Sequence, residues 1–526
     1  MSLRIAAIAD THYAGGPLDK CGVRRTAIAD VLLTRAVRRL NRFIKPDLTV
    51  ILGDLLDDGT NSRSLEEHQR LSEIIGKLES PAIILPGNHD GDLGQFCSIY
   101  PACPPSSQEG VRGRSLDING VRVVTFVDAE EPGYNARRSV ADIARMDQAR
   151  AGFDGPIVSL QHVPLFPHGA SASPYRYTNA DEVWAAFERN RYTLSISGHW
   201  HAGDDLVSRG AGRAVIVPAL CEAPFAFSEI VIDGDNIQTR RHELSLPSGL
   251  ELIDYHVHTP FAYCSENMDN ALSMALAKEF GLAGLAFTEH SGQLYFDKDT
   301  FWKAAFLREG IDTVHGRHDR MADYLQVMPD FLSSENCKLK IDNCKWPQAY
   351  LGLEIDCDNS GSPVVRPEDW DRTRIRVGSI HWLDELRKPE PEIDLNVAAE
   401  EMLGRLSRFL GCGIQILAHP LRVFRRWPDA DLPAGLIPGI MALLREHGVA
   451  AEINFHVQMT SPEFMSACLE NGVKMVFGSD SHNLCEVGEF APHLDLLRQC
   501  GCTQSDLPRI LADVRPQQPT AKSALG

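Results

Sequence analysis

Between residues 251 and 480 the chain repeats one pattern seven times, a short apolar run that leads into ionisable side chains. The runs are LIDYHVHT, GLAGLAFTEH, AYLGLEID, TRIRVGSIHW, IQILAHP, VAAEINF and VKMVFGSD, with helical stretches between them at 269–280, 396–411, 436–447 and 462–471. Strands alternating with helices predict a parallel sheet. Seven such strand ends, all bearing chemistry, predict a barrel-like α/β domain whose active residues converge at the carboxyl ends of its strands. Residues 303–347 read as an insertion and 516–526 as a loose tail.

The first 245 residues follow a different plan. Strands IAAIA, LTVILG, AIILPG, VRVVTFVD, GPIVSLQH, YTLSISGH, AVIVPA and FSEIVIDG recur, with helices near 26–43 and 64–78. The strand-rich stretch 213–245 argues against a purely alternating parallel unit, so mixed sheets sandwiched between helices are expected. The breaker PSG at 247–249 marks a boundary, giving domains 1–246 and 251–515.

With 526 residues and 44% hydrophobic content the chain can fill more than one core. Its net charge is 52 minus 71, or −19, without a basic block, which disfavours duplex DNA and anionic membranes as partners. There is no secretory h-region at the start and no apolar stretch of membrane-spanning length. The 13 scattered cysteines, with the near pairs Cys97/Cys103 and Cys337/Cys344, fit free thiols in a reducing cytoplasm.

In the first half the candidate ligands are Asp10 and His12 in IADTH, Asp54 in LGDLLDDG, Asn88 in PGNHD, His162 in SLQHVP, and His199 and His201 in SGHWH. Oxygen and nitrogen donors of this kind suit Mn, Fe or Zn. One carboxylate can bridge two ions roughly 3.5–4 Å apart. His68 and His168 read as surface or loop residues. Asp57 and Asp58 either orient ligands or shape their loop, and Arg24 and Arg25 either meet a phosphate or begin a solvated helix. The ordered series D-x-H, G-D-x-x-D, G-N-H-D, His and G-H-x-H resembles the calcineurin-like metallophosphoesterase family over residues 3–245. The resemblance implies a four-layer α/β/β/α sandwich. It assigns Asp10, His12 and His201 to one metal, Asn88, His162 and His199 to a second, Asp54 to the bridge, and His89 to the transferring phosphoryl oxygens or the leaving oxygen.

The second half offers His256 and His258 in DYHVHT, Glu289 and His290 in TEH, Glu354 in LGLEID, His381 in GSIHW, His419 in AHP, and Asp480 and His482 in GSDSH. Alternate residues such as H-x-H share one face of a strand and can share an ion. Arg422 is the first choice for gripping phosphate oxygens. HGRHDR, with His315, Arg317, His318 and Arg320, reads as either a substrate lid or a solvated helix start, and Glu452 and Asn454 as braces, with substrate contact the alternative for Asn454. DYHVHTP, FTEH, GLEID, GSIHW, AHP and GSDSH in order resemble the polymerase and histidinol phosphatase (PHP) family across 251–515, nearest to its histidinol-phosphatase-like members. The resemblance implies a distorted (β/α)7 barrel with two or three metals held by His256, His258, His290, Glu354, His381, His419, Asp480 and His482. The stretch TPFAYCSENMD departs from the family's usual segment. Glu266 is preferred there as a further ligand, with Asp269, Cys264 or a site without such a ligand as alternatives, and Glu289 either ligates, hydrogen-bonds His290 or caps the loop.

The combined expectation is a hydrolase with two phosphoester sites, the first opening a small, in one version cyclic, phosphodiester and the second releasing phosphate from the monoester. Asp54, His89 and Asp480 carry the catalysis, and Arg24, Arg317 and Arg422 contact substrate. The substrate class is a nucleotide or sugar-phosphate diester. The alternatives are two independent monoesterases, a nuclease, or one hydrolase joined to a binding domain.

Overall fold

The structure, a computed structural model, describes residues 2–16, 22–100, 115–210, 212–311, 319–333, 346–428 and 431–515. It divides into two compact units, Met1–Ser245 and Leu246–Gly526. Among the described residues no helix is long and apolar enough to cross a membrane.

The first unit holds two sheets. In the five-stranded one, Leu3–Ile8 runs parallel to Leu48–Ile51 and antiparallel to Ala226–Asp233, with Ala82–Ile84 and Asn236–Glu243 at the edges. The six-stranded one is ordered Asp204–Arg209, Gly212–Ile216, Leu194–Ser197, Ile157–Leu160, Val121–Thr125, Ser115–Ile118. Alternate residues from both, among them Leu3, Ile5, Ala7, Val123, Val158 and Ile196, meet in one buried core. Met146 of helix Val140–Arg150 and Val183 and Phe187 of helix Ala180–Arg189 pack with Val124 and Ile157 in a second core. This is the mixed α/β sandwich the strand pattern predicted. The helix expected at 26–43 is broken into a 3-10 turn Thr26–Ile28, the helix Ala29–Arg39 and a π turn Leu40–Ile44.

The second unit is a seven-stranded parallel sheet in chain order: Ile253–Val257, Gly284–His290, Gln348–Asp356, Ile375–Ser379, Ile416–Leu417, Ala450–Asn454, Met475–Gly478. A parallel bridge between Val257 and Ser481 brings its ends together in a barrel-like form. Ala286, Val377, Ala450 and Val476 share one core. Counting in twos along the same faces leads to His290, His381, Glu452 and Asp480, so core and chemistry occupy one side of the strands. Tyr255 lies in that core, and a register shift between Asp254 and Val257 lets its neighbour His256 join the same cluster. In the insertion, Tyr324 of helix Met321–Ser333 donates to the carbonyls of Phe287 and Gly352, both at 3.0 Å, and docks that helix on the barrel.

Candidate metal centres

The first cluster forms where five strands of the first unit end. Asp10 and His12 follow Leu3–Ile8, Asp54 follows Leu48–Ile51, Asn88 and His89 follow Ala82–Ile84, His162 follows Ile157–Leu160, and His199 and His201 follow Leu194–Ser197. Asp10, His12, Asp54 and His199 have φ of 54°, 46°, 51° and 68°, in the left-handed region that side chains other than glycine avoid. The loops enforce this: Asp10 N–H donates to Gly53 O at 3.1 Å, His12 N–H to Asp54 O at 2.9 Å, and His199 N–H to Asp10 Oδ2 at 2.8 Å. A Cβ at Gly87 would lie 2.2 Å from Asp54 Oδ1, so only glycine lets the GNHD loop close on that carboxylate.

Asp54 is central. Its Oδ2 lies 3.3 Å from His162 Nε2 and 3.6 Å from His12 Nε2, and its Oδ1 accepts from His89 N–H at 2.9 Å. His12 Nε2 and His201 Nε2 are 3.2 Å apart. His162 Nε2 stands 3.2 Å from Asn88 Oδ1 and 2.9 Å from His199 Nδ1. Two groups, Asp10–His12–His201 and Asp54–His162–His199, each bring their donor atoms within 4.8 Å of one another. On their outer sides, His162 Nδ1–H donates to Leu52 O at 2.6 Å, His199 Nε2–H to Tyr134 O at 3.0 Å, and His201 Nδ1–H to Glu222 Oε1 at 2.6 Å. Carbonyls and carboxylates only accept, so each inner nitrogen keeps its lone pair for the cluster, the arrangement that metal-binding imidazoles need. Asp10 Oδ1 is buried without a hydrogen bond. Converging lone pairs and an orphaned carboxylate oxygen fit divalent ions.

The charges agree. Burial disfavours the cation of His162, yet the Asp54 carboxylate outweighs it and raises the imidazole to about 10. Burial, then the charge of His162, lowers His199 to about 3. The carboxylates thus demand positive charge that an ion can supply in place of a proton. Burial, then Asp54, lifts Asp90 to about 7; it accepts from the N–H groups of Leu55, Leu56 and Gly87 at 2.7, 3.0 and 2.8 Å and staples the two loops. His68 is not a surface residue: it is buried, 3.1 Å from Asp90 O and 3.2 Å from Tyr100 Oη. His168 is exposed, as expected. Arg24 Nη1 lies 3.1 Å from Asp57 Oδ1 and 3.3 Å from His12 Nδ1, at the rim of the cluster, whereas Asp58 accepts from Thr60 in an exposed turn. Arg25 turns to the Gly22 carbonyl at 2.5 Å.

The second cluster surrounds Glu354. Its oxygens lie 2.5 Å from His290 Nδ1, 3.0 Å from His419 Nε2, 3.2 Å from His381 Nε2, 3.4 Å from His256 Nε2 and 3.7 Å from His258 Nε2. Asp480 Oδ1 stands 3.0 Å from His258 Nε2 and 3.6 Å from His256 Nε2, and its Oδ2 meets Arg422 at 2.5 Å. His258, His290 and His482 form a further group of converging donors. Glu354 Oε2, His256 Nε2 and His290 Nδ1 are buried without a hydrogen bond despite this crowding, which again fits cations between them. Outer partners again orient the rings: Glu452 accepts from His256 Nδ1–H at 2.8 Å, Glu289 from His258 at 3.2 Å, Asp356 from His381 at 2.7 Å, and the Asp480 carbonyl from His482 at 2.8 Å. Burial opposes charge on His258 and His381, but neighbouring carboxylates raise them to about 9 and about 10. Burial and adjacent cations lower His419 to about 4 and His482 to about 2.

The expected further ligand is not brought in. Glu266 is exposed and accepts from Asn483 Nδ2 at 2.7 Å, because its backbone N–H is tied to the His482 carbonyl at the rim. Asp269 caps the helix Asn270–Glu279. Cys264 takes the place nearest the site, its Sγ 3.6 Å from His290 Nε2. Glu289 accepts from His258 and from Thr259 N–H at 3.0 Å, so it braces the loop and the ring together. Arg422 reaches Asn454 Oδ1 at 2.8 Å as well as Asp480. Arg317, with His315 and His318, lies outside the described residues; Arg320 donates to Gln293 O at 2.8 Å and covers the Tyr263 ring. Sequence reasoning missed Glu222, Asp356, and His456 with Glu486, which share a 2.8 Å bond while Glu486 also accepts from His482 N–H at 2.9 Å. Asp356 was findable, two residues from Glu354 on one strand face. Glu222 carries no local signal.

The family model described as Calcineurin-like phosphoesterase matches residues 3–203. The glycerophosphodiester phosphodiesterase GpdQ of Enterobacter lignolyticus is 24% identical over 276 residues, 49% of this chain and 96% of that protein. A probable cyclic nucleotide phosphodiesterase of Rhodopseudomonas palustris is 25% identical over 45% of this chain and 90% of its own length. A probable histidinol-phosphatase of Deinococcus radiodurans is 25% identical over 48% of this chain and 94% of its own. The N-terminal half therefore carries a calcineurin-like metallophosphoesterase domain, and the protein is a metal-dependent phosphoesterase.

Proposed function

We propose that this phosphoesterase is bifunctional, with a first domain, about 1–246, that opens a small phosphodiester and a second, PHP-type domain, about 251–515, that hydrolyses the resulting phosphomonoester. The observation that carries the reading is the presence, in each unit, of its own buried cage of oriented imidazoles around an acidic centre, Asp54 in one and Glu354 in the other. Relatives named for diester and for monoester chemistry support it.

Asp10, His12, Asp54, Asn88, His162, His199 and His201 would hold two divalent ions, and His256, His258, His290, Glu354, His381, His419, Asp480 and His482 two or three, drawn from Mn, Fe or Zn. Bound there, such ions supply a hydroxide at neutral pH and neutralise charge on the phosphoryl oxygens. The chain's own groups do the rest. His89 Nδ1–H donates to the Asp57 carbonyl at 2.7 Å, which fixes the ring and leaves Nε2 to meet the phosphoryl or leaving oxygen. Arg24 and Arg422, each beside its cluster, offer planar donors to phosphate oxygens.

Asp54→Ala and Asp480→Ala variants of the metal-loaded protein, assayed on mono-, di- and cyclic esters, test the order. Asp54→Ala should abolish diester opening while monoester hydrolysis continues, and Asp480→Ala should let the monoester accumulate. Persistence of diester opening in Asp54→Ala, or loss of both steps in each variant, would refute the scheme.

A further inference from the structure

A two-stranded hairpin, Ala129–Glu131 with Asn135–Arg137, belongs to neither sheet of the first unit. Its base is clamped by the residues just outside it. Asp128 and Arg138 make a bidentate pair at 3.0 and 2.9 Å, with side chains 4% and 0% exposed. The guanidinium lies 3.6 Å from the centre of the Phe126 ring, and Tyr177 donates its hydroxyl hydrogen to Asp128 at 2.6 Å. Ala136 bonds to Arg176 and Thr178 through its N–H and C=O, so the hairpin is stitched to segment 175–178. A buried ion pair adds little net stability, and fixing one arrangement is the better account of its presence.

What is fixed is the tip. Gly133 and Tyr134 are both left-handed, with φ of 80° and 59°; glycine adopts this freely, whereas a bulky residue is strained there. The strain is not repaid by burial, since Tyr134 is 57% exposed. Its carbonyl accepts from His199 Nε2–H at 3.0 Å, fastening the tip to the metal centre. The Tyr175 ring stands edge-on to His199 at 4.5 Å and to Tyr134 at 6.4 Å. Strain held in place beside reactive groups points to function.

We infer that Tyr134 and Tyr175 are specificity residues that receive a planar heterocycle, of the nucleobase kind, carried by the alcohol portion of the diester. The inference rests on the diesterase reading of the first unit. A ring offers a π face to tyrosine, and a glycerol-type alcohol offers none.

The test uses the metal-loaded full chain carrying Asp480→Ala throughout, so that the second unit does not consume the monoester, with both tyrosines as in the wild type or with Tyr134→Ala, Tyr175→Ala or Tyr134→Phe; 3′,5′-cyclic AMP and glycerophosphoethanolamine are the substrates and equilibrium dialysis of 5′-AMP is a readout independent of turnover. Loss of a stacking ring should lower the ratio of kcat/KM for the cyclic nucleotide over the glycerophosphodiester by about 5- to 100-fold, mainly through KM, and weaken AMP binding in step. Phenylalanine at 134 should restore both. An unchanged ratio with unchanged AMP binding overturns the inference, as does absence of AMP binding with both tyrosines in place. Failure of that protein to open either diester would refute the diesterase reading instead, and the dialysis order alone would then decide on the rings.

Discussion

Gly478 closes the last barrel strand, and replacing it with alanine isolates the role of one outer carboxylate. A Cβ there would lie 1.9 Å from Glu452 Oε1, 2.8 Å from its Cδ and 2.9 Å from His256 Cβ. Ordinary contact begins at 3.4 Å, so Glu452 must retreat by about 1.5 Å, the difference between 3.4 and 1.9 Å. Its two bonds, from His256 Nδ1–H at 2.8 Å and from His419 N–H at 2.7 Å, would both stretch beyond hydrogen-bonding range. Hydrogen bonds to a charged buried group contribute about 1.5–3 kcal/mol each, so the second unit should lose about 3 kcal/mol or more. Loss of an outer partner of a metal-binding histidine should weaken metal retention about 10- to 100-fold. Metal content after dialysis, denaturant unfolding and monoester hydrolysis read these effects, with diester opening as the internal control. Gly478→Ala protein that keeps its full metal content and its monoesterase activity within about twofold would refute the reasoning that Glu452 sets the His256 ring.

Three other outcomes follow from the geometry. His89→Asn should retain metal but lower the diesterase kcat by about 100- to 10,000-fold, the range for loss of a positioned proton donor; equal loss of metal would assign His89 to structure. His493 is buried, which lowers it from 6.5 to about 4. The neutral ring is therefore favoured by folding, and its contribution, full above pH 6.5, is lost as pH falls to 4. That amounts to about 3 kcal/mol, and His493→Gln should show correspondingly less acid destabilisation in urea titrations at the two pH values. Chelation should abolish both hydrolytic activities and lower the melting temperature, with Mn²⁺ restoring them; full activity after exhaustive chelation would remove the metal-centred account.

The candidate ligands were legible because strand ends fix where they stand. In Leu3–Ile8 or Ala450–Asn454, both buried almost throughout, the two-residue repeat of the strand sets the face, and the polar residue at its end inherits it. What escaped were elements whose order comes from elsewhere. The hairpin at 129–137 is polar and short, so its pairing depends on the Asp128–Arg138 clamp rather than on periodicity. The edge strand Asn236–Glu243 carries a weak apolar signal because its inward positions include Thr239 and Arg241 beside Ile237. Glu222, which steadies His201, comes from a loop with no motif. The position of Glu266 was not legible because spacing along a loop does not say which way the chain turns, and the bond from its N–H to His482 O holds it at the rim. His68 looked superficial because its helix is polar, yet the Phe96 and Tyr100 rings enclose it.

The left-handed backbone at Asp10, His12, Asp54, His199, His419 and Asp480 also restricts which replacements drift can reach cheaply. Asparagine and glycine tolerate that conformation best. Descendants that abandon hydrolysis in either half should therefore accumulate asparagine at these six places before any branched residue, leaving a readable scar of the lost chemistry in an otherwise intact fold.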